Sequence, residues 1–176
     1  MCKPRDVPDR YPLAELPGRP CSIAASLELV GERWALLVVR EVSLGNHRFS
    51  EIVRGTGAPR DRLSARLAAL VAAGVLEKRL YSTAPPRSGY HLTAAGRDLL
   101  PVLTALLQWG NRWAVDEPPV QLHHCAGHDG DHVVEGEWTC RTCGEPVHAT
   151  RVERVLTPAG RALSCLPPET KDDDDR

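Results

Sequence analysis

Three cysteines and one histidine near the C-terminal end have the spacing of a chelating set. Cys125-Ala126-Gly127-His128 puts two ligand types three positions apart, and Cys140-Arg141-Thr142-Cys143-Gly144 repeats the spacing twelve residues on. A tight turn can aim two such side chains at one ion, and structural zinc takes four nitrogen or sulfur ligands. Cys125, His128, Cys140 and Cys143 are therefore expected to hold one structural Zn2+. His123, His124, His132 and His148 stand as alternatives to His128, and unligated cysteines in a hairpin packed on the rest of the chain are the competing reading. So short and polar a stretch has little core of its own, so a metal would help to hold it. No H-E-x-x-H is present and no acidic residue pairs with these ligands as a general base, so an enzyme is not expected.

A second group of residues suits phosphate and base edges. Between positions 33 and 97 there are eleven basic residues against four acidic ones, a surplus of seven in a chain whose net charge is -1. Such concentration is the footprint of nucleic-acid contact; an arginine-rich solvated surface is the plainer alternative. A helix over residues 58–73 would bury Leu63, Leu67, Leu70 and Val71 and leave Arg62, Ala65 and Ala69 outward, flanked by Ser64 and Arg66. Arginine can grip a guanine edge with two bonds, and serine can pair with either kind of group. Arg62 and Arg66 are the expected base readers, with Ser64 beside them. Arg60, in the first turn, is the expected phosphate contact. Arg87 and Ser88 fall at the tip of a candidate hairpin, where an arginine can enter a minor groove; an idle exposed tip competes with that reading.

These side chains need a frame. Five prolines in residues 1–20 make an extended arm. Ile23, Leu27 and Val30 repeat at helical spacing up to Gly31, and residues 32–44 form a second, broadly apolar helix. After the Gly45-Asn46 turn, a short helix starts at Phe49 and ends at Gly55 and Gly57. With the helix over 58–73 it makes a helix-turn-helix. Residues 75–81 and 90–92 read as strands around a loop at 85–89. Thr93 caps a long helix ending at Trp113, in which Pro101 sits badly. Residues 116–119 are a linker and 120–166 a small extension with candidate strands at 133–140 and 146–155. The charge run at 167–176 is expected to be a disordered acidic tail. The fold class is thus mainly α (α+β): a winged helix-turn-helix over residues 21–115 with a two-stranded wing, plus a Cys/His-containing hairpin extension. With 42% hydrophobic and 26% charged residues the composition is globular. No run is apolar enough for a membrane helix and the start is no secretory signal, so a cytoplasmic, nucleoid-associated protein is expected.

The chain resembles the HxlR-type winged helix-turn-helix regulators of bacteria. The matching segments are Cys21-Ser22, Leu29-Val30-Gly31-Glu32-Arg33-Trp34-Ala35-Leu36-Leu37, Arg48-Phe49-Ser50-Glu51-Ile52 and Leu63-Ser64-Ala65-Arg66-Leu67-Ala68-Ala69-Leu70. They continue through Gly74-Val75-Leu76-Glu77-Lys78, the stretch from Pro85 to Gly96, and Trp109-Gly110-Asn111-Arg112-Trp113. The resemblance implies a sequence-specific repressor or activator that binds double-stranded DNA at an inverted-repeat operator as a homodimer. It implies dimerisation through the first helix and the helix ending at Trp113. It also leaves room for a small-molecule or redox signal, since some members sense aldehydes, quinones or oxidants, often through the cysteine matching Cys21. A buried, inert Cys21 is the other reading. The chain departs from the family in Ser22, where proline is usual, and in the extension past Trp113. A winged-helix protein-interaction module without specific DNA binding is the alternative function.

Overall fold

The computed structural model describes residues 21–124, 132–134 and 136–147, with the single positions 152 and 157. The expected arm at 1–20, Cys125, His128, His148 and the acidic tail lie outside the described residues. The described residues fall into two compact units, divided between Gly96 and Arg97. That boundary comes earlier than the linker read from the sequence.

The first unit opens with α1 (Ser22–Val30), which buries Val30. Its stop at Gly31 comes from close approach, not from a left-handed backbone. A Cβ there would collide with the carbonyl oxygen of Leu27, to which the Gly31 amide is bonded at 2.7 Å. Residues 32–34 form a turn, so α2 (Ala35–Ser43) starts later than its apolar pattern suggests. It buries Ala35, Val38, Val39, Val42 and one charged residue, Glu41. Next come α3 (Phe49–Thr56) and α4 (Arg60–Ala72). Gly57 closes α3 with φ +67, a conformation that favours glycine. The leucines at 63, 67 and 70 repeat at helical spacing, so α4 turns them inward, where all three are fully buried. Each stabilises the fold by roughly 1.5–3 kcal/mol through burial. Ile52, Ala58, Val75 and Leu76 complete the core with the α2 residues.

The wing is an antiparallel pair, β1 (Leu76–Thr83) and β2 (Pro86–Leu92), with Leu76 opposite Leu92, Lys78 opposite Tyr90 and an irregularity between Leu80 and Ser82. The loop expected at 85–89 shrinks to residues 84–85. A two-stranded sheet has only edge strands, and an edge tolerates proline, so Pro86 begins β2. Thr93 caps only the four-residue α5 (Ala94–Arg97), its Oγ1 accepting from the Gly96 amide at 3.1 Å.

The second unit begins with α6 (Leu100–Trp113). The single helix expected from Thr93 is thus broken, and Pro101 lies in the first turn of α6, where its missing N–H costs nothing. No residue of α6 is buried. Beyond it, β3 (His123–His124) pairs with β4 (His132–Val133), and Thr139 bridges Pro146. Of the strand expected at 133–140, Val133 and the Thr139 bridge are extended among the described residues, and most of 146–155 lies outside them. Gln108 donates to the Val134 carbonyl at 3.2 Å and Asn111 to the Val120 carbonyl at 2.9 Å, tying α6 to the segment that follows.

Candidate nucleic-acid interface

A buried carboxylate holds α3, the helix before α4, against α2. Arg40 donates to Glu41 Oε1 through Nε at 3.0 Å and through its terminal nitrogen at 2.7 Å, and Asn46 Nδ2 donates to Glu41 Oε2 at 2.7 Å. The same Arg40 nitrogen reaches the Gly55 carbonyl of α3 at 2.9 Å. A Cβ on Gly55 would strike the Glu41 carboxylate, so α3 can approach α2 only with glycine there. Gly55 therefore lies inside α3 as a contact point and does not end it. At the start of α3 the Arg48 amide donates to Glu51 Oε2 at 2.9 Å, satisfying a free helix N–H.

From this frame α4 presents an outward face. Arg62 is 76% exposed, with only the equally exposed Asp61 nearby at 3.9 Å. Ser64, Ala65 and Ala69 are exposed beside it. Arg66 differs: its side chain is 19% exposed and pairs with Glu32 at 3.2 Å. The expected outward placement thus holds for Arg62 and fails for Arg66, because an acid in the turn before α2 draws that guanidinium back along the fold. Arg60 is exposed and lies 5.0 Å over the Phe49 ring, which orients it at the N-terminal end of α4.

The wing is attached more firmly than a hairpin by itself would be. The Tyr90 amide donates to the His47 carbonyl at 2.9 Å, and His47 Nδ1 meets the Tyr90 carbonyl at 2.9 Å. The His47 and His91 rings stack with centroids 4.1 Å apart. Burial, then the His47 and Arg79 charges, push the His91 pKa below its ordinary value, against a smaller upward pull from Glu77. Arg48 lies 5.3 Å over the Tyr81 ring, joining the start of α3 to β1. Arg87 and Ser88 are exposed, but on strand β2 and not in the tip loop, which is only residues 84–85.

Sequence reasoning missed His47, His91 and Glu41. The histidines are far apart in the chain and carry no local signal. Glu41 did carry one, as an acid on the apolar face of a buried helix. Cys21 precedes α1 as its extended N-cap residue and is half-buried. Of the expected metal ligands, Cys140 and Cys143 are described; backbone amides of Cys143 and then Thr142 pull the Cys140 thiol down to about 7. Among the described residues no group of three or more His, Cys, Asp or Glu side chains is gathered. No described helix is long and apolar enough to cross a membrane.

A short helix braced on a core, a turn, an exposed second helix and an attached two-stranded wing define a winged helix-turn-helix protein. The family model of HxlR-like helix-turn-helix proteins matches residues 29–118, and the chain belongs to that family, a class of DNA-binding transcription regulators and not of enzymes. An uncharacterized HTH-type transcriptional regulator of Mycobacterium tuberculosis (strain ATCC 25618 / H37Rv) is 41% identical over 145 residues, covering 80% of this chain and 89% of its own. The crystal structure of PA1607, described as a transcription factor, is 29% identical with a TM-score of 0.68, over 78% of this chain and 95% of that one. PA1374 of Pseudomonas aeruginosa, likewise described, is 37% identical with a TM-score of 0.56, over 79% and 94%. The 145-residue match is longer than the chain up to residue 118, so the likeness extends into the C-terminal segment.

Proposed function

We propose that this regulator reads an inverted-repeat operator as a homodimer, with α4 in the major groove and the wing alongside the adjacent backbone. The exposed, nearly unpaired Arg62 on a helix whose opposite face is core carries this reading. Arg62 and Ser64 are the base readers, Arg60 a phosphate contact, and Arg87 and Ser88 the wing contacts. Arg66 serves to hold α4 in place through Glu32. One helix-turn-helix reads only a half-site, which makes a dimer necessary. The apolar side chains that α1 leaves in solvent, Ile23 at 71% exposure and Leu27 beside it, are suited to that contact, as is the bare face of α6.

The test uses an operator selected from a random duplex pool, titrated against a scrambled duplex of equal length. Arg62→Ala should lose about 1–3 kcal/mol of discrimination between the two. Arg66→Ala should weaken both duplexes together. Affinity for the scrambled duplex should fall steeply with salt. Failure of the pool to yield any preferred sequence, or unchanged discrimination in Arg62→Ala, would overturn the reading. The first of those results would favour a protein-interaction module.

A further inference from the structure

The second unit contains a turn whose shape the winged domain does not explain. Cys140 and Cys143 sit three positions apart at the end of a small hairpin. Its arms are joined by the Thr139–Pro146 bridge and by the Val147 amide donating to the Trp138 carbonyl at 2.6 Å. The Cys140 amide donates to the Glu145 carbonyl at 2.9 Å, and the Gly144 amide returns to the Cys140 carbonyl at 2.7 Å. Gly144 has φ +76, where a side chain would be strained, and this reversal folds the chain back under the two thiols. Cys140, half-buried, and Cys143, exposed, thus stand three positions apart within one closed turn. A tetrahedral metal with sulfur arms of ~2.3 Å holds its sulfurs about 3.8 Å apart, a span that two ligands three positions apart on one tight turn can meet.

A dithiol built for redox exchange is usually placed at a helix N-terminus, and no helix follows here: residues 141–143 are a turn within the hairpin. We propose that the Cys140–Cys143 turn is a preformed two-thiolate chelate for a thiophilic divalent metal, zinc above all. The backbone sets the chelate before the metal arrives. Structural zinc takes four ligands. The described residues bring two, and the site argued here is that pair; Cys125 and His128 have matching spacing in the sequence but lie outside the described residues. The metal would stabilise a unit that has no buried apolar side chain among its described residues.

The experiment uses the full chain, purified without chelator and without a metal-binding tag. Elemental analysis should find about one zinc per chain. Cys140→Ser and Cys143→Ser should each lose it, while Cys21→Ser, in the other unit, should keep it. Cobalt(II) added to the wild-type chain stripped of zinc should give thiolate-to-metal charge-transfer absorption in the near ultraviolet, a readout that needs no variant to fold. Zinc retained by the Cys140→Ser, Cys143→Ser double variant overturns the proposal. So does a wild-type chain that takes up neither zinc nor cobalt, or one whose two thiols form a disulfide under reducing buffer conditions that keep Cys21 reduced.

Discussion

The two units solve the problem of stability by different means. In the first, the buried hydrophobic residues among those described run from Val30 to Leu76, and four helices and the root of the wing share them. In the second, α6 carries two tryptophans and several leucines, yet none of its residues is buried, and Trp109 remains 59% exposed. The first unit has a core of its own. The second displays apolar surface that a lone chain leaves in water, which a partner subunit would cover. The same kind of residue is core in one unit and surface in the other, and the difference lies in whether neighbouring elements close over it.

Leu67→Ala should test the core side of this contrast most severely. Leu67 is fully buried, and its truncation should cost about 2–5 kcal/mol in urea denaturation, with cooperative loss of the whole winged unit. A loss under about 1 kcal/mol would mean that the core is looser than its burial indicates. Trp109→Ala should act on the other side. It should weaken dimerisation by about 2 kcal/mol or more while leaving the winged fold intact by circular dichroism. Sedimentation equilibrium reads the first and the spectrum the second. An unchanged dimer would move the interface away from this part of α6.

The smallest effect should come from the stacked histidines. The folded wing disfavours a proton on His91, so its pKa lies below the ordinary 6.5. As pH falls, the unfolded chain takes up that proton before the folded one does. The contribution of the neutral ring is whole above 6.5 and is lost as pH drops through the folded value. Urea midpoints at about pH 7.5 and about pH 5 should therefore differ, and His91→Gln should flatten that difference. An unaltered slope in the variant would assign it to other groups.

How much of this was legible in the sequence depends on the range of the interaction. The stripe of Leu63, Leu67 and Leu70 is a local repeat, and the helix and its buried face follow from it. The wing was legible as a strand pair, but its loop was drawn too long, because Pro85 and Pro86 look like a breaker until the strand is known to be an edge. The helix through Pro101 was misread for a related reason. Apolar spacing runs on across the gap between α5 and α6, and only the capped turn at Thr93 and the restart at Leu100 place the proline where it is harmless. Arg66 stands at the margin of the outward face on any helical wheel. Its pairing with Glu32, 34 positions earlier in the chain, is a tertiary fact that no local pattern encodes. The same holds for His47 against His91.

The division of α4 bears on how such a protein changes over generations. Leu63, Leu67 and Leu70 bind the helix to its scaffold, while Arg62, Ser64, Ala65 and Ala69 are exposed, Arg62 lying 3.9 Å from its neighbour Asp61. Substitutions at exposed positions away from caps and ion pairs usually shift stability by less than about 0.5 kcal/mol. If this outer row reads the operator as proposed, a lineage can exchange one operator for another by altering it, with the structural demands met elsewhere on the same thirteen-residue helix. Paralogues with diverged target genes would then differ most at these four positions and least at the three leucines.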